Sequence, residues 1–199
     1  MNPIRNSSQI MKKLILNLFF TTVSLYAMDQ SGGRIESFDF EKHGEGTLLL
    51  LPSSYSNDIL TWNDSPTDFP FVMIDNNSNE VIGFILQSIN KHQYKEFFHN
   101  HRNLPTNLQT SEFTEAYITY LKVHPERQTK GRGTALLNHV EKNAKEQNCA
   151  LLSLMSLNKK NTDFYLKRKY VHNPACPHYM VKPLSDEMKI CLESAHNNN

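Results

Sequence analysis

The segment from Glu115 to Met155 constrains the fold of this 199-residue chain more than any other part. Its first nine residues, EAYITYLKV (115–123), are rich in β-branched and aromatic types and read as a strand. Alternation puts Tyr117, Thr119 and Leu121 on one face and Ala116, Ile118 and Tyr120 on the other. After a polar run, Leu136, Leu137, Val140 and Ala144 recur at helical spacing, with Lys142 and Lys145 outside, which predicts a helix ending near Asn148. CALLSLM (149–155) is almost continuously apolar, as a strand covered on both faces should be. A strand, a crossover helix and a second buried strand make one parallel unit. The chain is therefore α/β.

The turn inside that unit carries chemistry. QTKGRGT (128–134) brings a series of backbone N–H groups to the positive end of a helix, where phosphates bind readily. Gly131 and Gly133 allow close approach of the backbone, and Lys130 and Arg132 can add charge from outside. A P-loop requires lysine after its second glycine, and Thr134 stands there. A dinucleotide fingerprint requires a small residue where Leu136 stands. The residues alone leave two readings open: an anion site for some other phosphate-bearing ligand, or a tight turn with solvated charges.

The flanks fit one α/β domain. RIESFDFE (34–41) suggests a first strand, and residues 43–69 read as irregular, punctuated by Gly44, Gly46, Pro52, Asn63 and Pro66. A short helix within SNDILTW (56–62) is compatible with the pattern. Pro70–Ile74 and Glu80–Ile89 form two antiparallel strands around an Asn-rich turn. Asn158–Tyr170 reads as a second helix, His178–Lys182 as a closing strand and Ser185–Glu193 as a terminal helix. The expected organisation is a signal peptide or short anchor (1–27), a linker (28–33), the domain (34–186) and a C-terminal tail (187–199).

The N-terminus has Arg5, Lys12 and Lys13, no acid before Asp29, and the apolar run Leu14–Ala27. That is the layout of a secretory signal or a short membrane anchor, the run falling below the roughly 20 residues of a full span. Export or tethering is the expected location, and a cytoplasmic protein with an amphipathic N-terminal helix is the alternative. Without residues 1–27 the chain holds 18 basic and 20 acidic residues, net −2, so composition gives no field for nucleic acid. The membrane is expected as a partner only through the N-terminal segment. Three cysteines make no disulfide framework.

QTKGRG, the Val123-x-Pro125 that precedes it and the wording KGRGTALLNH together resemble the pyrophosphate-binding motif of the GNAT superfamily, the acyl-CoA-dependent N-acyltransferases. The second helix resembles that family's other signature through Asn158, Asn161, Phe164, Tyr165 and Tyr170. It departs at Asn161, where the family has alanine, and at Lys169, where it has glycine. The resemblance spans about residues 70–183. It implies the GNAT fold: a mixed, mostly antiparallel sheet with splayed parallel central strands and flanking helices. Acetyl-CoA is the implied acyl donor, with no metal. Its pyrophosphate would lie on Gln128, Thr129, Lys130, Gly131, Arg132, Gly133 and Thr134. Its pantetheine arm would pair with the backbone of Leu121 and Val123 and face Asn158. An amine on a small molecule or protein would attack the thioester directly, with Tyr165 as general acid to the thiolate.

The base does not carry over. Histone-type members place a glutamate fourteen residues before the first glycine, and here that position is Tyr117. Glu115 lies two residues earlier on the same face and is the candidate base, with a strand-end role as the alternative. The departures also leave open a non-catalytic module of the same fold that binds acyl-CoA or a protein partner. His92, His99 and His101, and likewise His172, Cys176 and His178, read as loop or packing residues rather than metal ligands.

Overall fold

The computed structural model describes residues 32–51, 65–98, 108, 110–128, 131–173 and 176–196. The expected N-terminal segment, the SNDILTW helix, His99, His101, Thr129 and Lys130 lie outside the described residues. One seven-stranded sheet runs in the order β1-β2-β3-β4-β5-β7-β6. Its strands are Gly33–Ser37 (β1), Asp68–Asp75 (β2), Val81–Gln93 (β3), Glu112–Val123 (β4), Leu151–Met155 (β5), Val171–Asn173 (β6) and Cys176–Pro183 (β7). Only β4 and β5 pair in parallel; the other neighbours are antiparallel. The α-helices are Phe40–Leu48 (α1), Tyr94–Phe97 (α2), Arg132–Glu146 (α3), Lys159–Leu166 (α4) and Asp186–His196 (α5).

Strand alternation divides the apolar residues between the two sheet faces. On one face Ile85, Ala116, Ile118, Leu152, Leu154 and Met180 pack against Leu136, Leu137, Val140 and Ala144 of α3 and Tyr165 of α4. The opposite face has two clusters. Val72, Ile74, Phe84 and Leu86 surround Phe38 and Leu50 at the ends of α1, and Leu151, Val181 and Phe113 meet Tyr94, Phe98 and the apolar side of α5. Because Met188, Cys191, Leu192 and Ala195 of α5 are buried there, packing continues beyond residue 186.

Three details depart from the sequence expectations. The stretch after Asp39 is helical, not irregular: Asp39 accepts from Lys42 N and caps α1. The glycines that suggested loop give clearance, since a Cβ on Gly46 would sit 3.0 Å from Val81 Cβ. The first strand is accordingly cut short at Ser37. The alternation along β4 is broken by a bulge: Leu86 pairs with Tyr120 and Gln87 with Ile118, leaving Thr119 as the extra residue. Leu121 and Val123 therefore share the α3-side cluster with Ala116 and Ile118, whereas Tyr120 turns to the other face, where its ring lies 6.2 Å from that of Phe84.

Lys169 sits where the signature glycine was expected, with φ 66°. A non-glycine residue in the left-handed region is strained by roughly 1–2 kcal/mol. Lys169→Gly is expected to stabilise the protein by about 1 kcal/mol, read as a higher urea midpoint with an unchanged slope.

Two histidines set an acid limit on stability. Burial, followed by the charge of Lys142, holds His139 below the usual histidine range, its ring 4.6 Å from that of Phe71. Burial, followed by Lys42, does the same for His43, whose Nδ1 accepts from Asp39 N. Above pH 6.5 both stay neutral in folded and unfolded chains. As pH falls below that value the unfolded chain gains protons first, so stability declines. Thermal melts should show a fall in Tm between pH 7 and pH 5 that is smaller in His139→Gln.

Candidate active site

The parallel pair comes apart. Registered β4–β5 pairs run from Glu115–Leu151 to Ile118–Leu154, but β4 continues to Val123 and β5 to Met155. The bulge at Thr119 falls at this parting, where it re-aims the backbone of β4. The result is a cleft between two diverging strand ends, one walled by Leu121 and Val123. Both residues pair with β3 on their other side, with Ile85 and Gly83.

The helix start lies at the end of that wall. A 3-10 turn, Pro125–Arg127, leads from β4, and the Gln128 side chain reaches back to donate to Val123 O at 3.4 Å. Gly131 takes the left-handed conformation, φ 76°, and is the N-cap of α3. Ala135 N–H closes the first α turn on Gly131 O at 2.9 Å, so the amides ahead of it lack intrahelical partners. Among the described residues, a Cβ on Gly131 would meet nothing within 4 Å. Gly133 has a different use: its Cβ would lie 3.3 Å from Phe164 Cζ, so it lets α4 pack closely on α3.

The charge around this turn is arranged otherwise than expected. Arg132 does not offer its guanidinium from outside. It is buried, donating to Asp75 Oδ2 at 3.1 Å and Arg127 O at 3.4 Å. Backbone N–H groups of Asn77 and Ser78, then the Arg132 charge, hold Asp75 below the usual carboxylate range. Among the described residues, the side chain of Arg168 reaches the first turn of α3. It donates to Thr134 Oγ1 at 3.0 Å from Nε and to Phe164 O, with its guanidinium carbon 3.6 Å from the Phe164 ring centre. Lys159, Lys160, Lys167 and Arg168 border a shallow depression beside it.

Asn158 is the N-cap of α4, its Oδ1 accepting from Asn161 N at 2.9 Å, so this oxygen is committed to the helix. Tyr165 belongs to the core cluster that also contains Val123, Ile118 and Leu154 at the parting. Its ring is buried against Phe164 and Tyr170, and its hydroxyl has no hydrogen-bond partner among the described residues. Burial pushes the phenol up to about 12, against a smaller opposing effect of Arg168. Tyr165 is thus a fully protonated donor across the physiological range.

Glu115 is 2 % exposed, on the face away from α3. Its carboxylate accepts from Ser153 Oγ at 2.6 Å and Tyr179 OH at 2.6 Å, and lies 2.8 Å from His92 Nε2. Burial and the Glu115 charge push the Tyr179 phenol up, so it too stays protonated. Tyr117 stacks on Tyr179 at 6.0 Å. Among the described residues no group of three or more His, Cys, Asp or Glu side chains is placed to hold a metal ion.

The parallel pair parts beside the left-handed Gly131 that starts α3. The model of the acetyltransferase (GNAT) family matches residues 37–170, and the chain belongs to that family. Among curated protein sequences no relative matches at a significant level. Solved structures share the fold at low identity. One is an acetyltransferase from Trypanosoma brucei, with 14% identity and TM-score 0.53 over 70% of this chain and 92% of that one. Another is the NatC complex bound to Gag peptide and CoA, with 16% identity and TM-score 0.56 over 77% and 99%. A third is AtaT complexed with acetyl-methionyl-tRNAfMet, with 14% identity and TM-score 0.52 over 79% and 98%. One structure of this fold is thus a complex with a tRNA, and the expectation that nucleic acid is no partner finds no support in the comparison.

Proposed function

We propose that the chain transfers an acetyl group from acetyl-CoA directly to a primary amine within a ternary complex. The observation that carries this reading is the conjunction of the strand parting after Ile118 and Leu154, the left-handed Gly131 at the start of α3, and the Tyr165 hydroxyl in the adjacent core, which has no hydrogen-bond partner among the described residues. The pyrophosphate would rest on amides of the Gly131 turn, with Arg168 beside it. The pantetheine would lie along Leu121–Val123, next to Asn158. The amine would attack the thioester carbonyl from the opposite side. An N–H near Val123 would stabilise the oxyanion, and Tyr165 would protonate the departing thiolate.

The acceptor is tested by a panel of peptides with free N-termini, lysyl peptides, polyamines, amino sugars and aminoacyl-tRNA. The tRNA arm is included because AtaT shares the fold. Calorimetry with CoA and thiol release from acetyl-CoA are read together. CoA affinity with amine-dependent thiol release supports the transferase. CoA affinity without release on any acceptor supports a non-catalytic acyl-CoA module, the reading favoured by Tyr117 standing where a base was expected. Absence of CoA affinity removes the transferase and the acyl-CoA module, and leaves the alternative only as a module that binds a protein partner.

Export or tethering through residues 1–27 remains part of the proposal. It is motivated by the basic residues and apolar run of that segment. Mass spectrometry of the native N-terminus decides it. An intact Met1 or Met11 in a cytosolic fraction rejects it.

A further inference from the structure

Direct attack needs a neutral amine, and most acceptor amines are ammonium ions at pH 7, with pKa values of about 8 for an α-amine and about 10.4 for a lysine. A proton must leave the cleft before or as the bond to carbon forms. Tyr117, at the expected position, puts a phenol where a carboxylate was expected, and a phenol passes a proton on only where a base stands behind it. Glu115 is enclosed and does not open to solvent itself.

The residues around Glu115 form a continuous chain. Tyr179 pairs with Met155, the last residue of β5, and so stands where β5 leaves its partner. Tyr117 lies across from Ser153, one pair short of the parting, and stacks on Tyr179. From the Tyr179 hydroxyl the path is 2.6 Å to Glu115 Oε1, and from Oε2 it is 2.8 Å to His92 Nε2. Ser153 Oγ touches both Glu115 Oε1, at 2.6 Å, and Tyr179 OH, at 3.1 Å, and holds them in line. The His92 side chain is 34% exposed against 3% for that of Glu115, so the chain ends in water. Phe113 of β4 and Phe97 of α2 flank the imidazole at 5.5 and 5.7 Å and fix its plane. Among the described residues, the titratable groups linked to it by hydrogen bonds are Glu115 of β4 and, beyond it, Tyr179 of β7.

We infer that Tyr179, Glu115 and His92 form a proton exit that carries the acceptor's ammonium proton from the cleft to solvent. This rests on the transferase reading above. The ammonium N–H bond breaks as its proton passes to the Tyr179 oxygen, while the Tyr179 proton passes to Glu115. The carboxylic acid so formed gives its proton to His92, and the imidazolium releases it to water. The carboxylate is restored, and the amine lone pair is left free to attack the thioester carbon. Ser153 is a positioning residue, because it orients Glu115 without moving a proton to substrate.

The test uses the full chain, acetyl-CoA and each amine of the panel that turns over. His92→Gln keeps a polar side chain beside Glu115 but cannot take a proton, and Tyr179→Phe cuts the path at its inner end. At pH 7 each is expected to lower kcat about tenfold or more, with KM for acetyl-CoA and Tm near those of the parent. The deficit should shrink towards parity as pH rises past the pKa of the amine, because the amine then arrives neutral. His92→Ala should regain activity with millimolar imidazole. A pH-independent loss, or no rescue by imidazole, would mark His92 as packing and overturn the exit. Parent activity in His92→Gln at pH 7 would also overturn it while leaving the transferase reading intact. No turnover with any amine removes the transferase reading, and the exit with it.

Discussion

Tyr165→Phe is expected to lower kcat at least about tenfold with its best acceptor, while CoA affinity and Tm stay near those of the parent. Three observations set the direction. The ring is buried between Phe164 and Tyr170, so phenylalanine fills the same space. The hydroxyl has no partner among the described residues, so removing it strands no other group. Burial holds the phenol at about 12, so it remains a proton donor throughout the usable pH range. The parent rate should consequently show no loss attributable to Tyr165 deprotonation up to about pH 10. A variant that turns over at the parent rate would reduce Tyr165 to packing. A matching fall in CoA affinity would instead assign the hydroxyl to binding.

Gly131→Val is expected to weaken CoA binding roughly ten- to hundredfold. A Cβ there would meet none of the described residues within 4 Å, so the substitution collides with none of them. It acts in two other ways. A β-branched residue resists φ 76°, and its methyl groups stand in front of the helix-start amides. Losing one hydrogen bond to a charged phosphate costs roughly 1.5–3 kcal/mol, which corresponds to that range in Kd. Gly131→Asn separates the two causes, because asparagine tolerates the left-handed region. If both variants bind CoA like the parent by calorimetry, the phosphates do not lie at Gly131. Gly133 is not an equivalent probe, since a Cβ there would press on Phe164 and disturb α4.

What could be read from the sequence was local. The strand, glycine turn, helix and second strand from Glu115 to Met155 were legible because every residue that specifies them lies within the segment. The same holds for the short helix that Asn158 caps and that carries Tyr165. What escaped depends on distant partners or on insertions that leave the composition unchanged. Arg132 looked like a solvent-facing cation because its partner, Asp75, lies 57 residues away. Glu115 was found as a carboxylate, but its enclosure by residues from β3, β5 and β7 has no signature along β4. The bulge at Thr119 adds one residue to an already apolar and aromatic run and so inverted the expected faces of Leu121 and Tyr120. Helix α1 was hidden by Gly44 and Gly46, which usually mark loops.

The parting of β4 and β5 also creates a hazard. Two strands that separate inside a sheet leave ladder groups unpaired, and such groups are a template for any extended chain. Beside them stand Met155 and Leu157, 50% and 82% exposed. An empty cleft therefore resembles a sheet edge that invites self-association. A pantetheine arm lying along β4 would close that edge as a surrogate strand. The cofactor would then be a guardian of solubility as well as a reactant, and the protein's shelf life would depend on how often its cleft is filled.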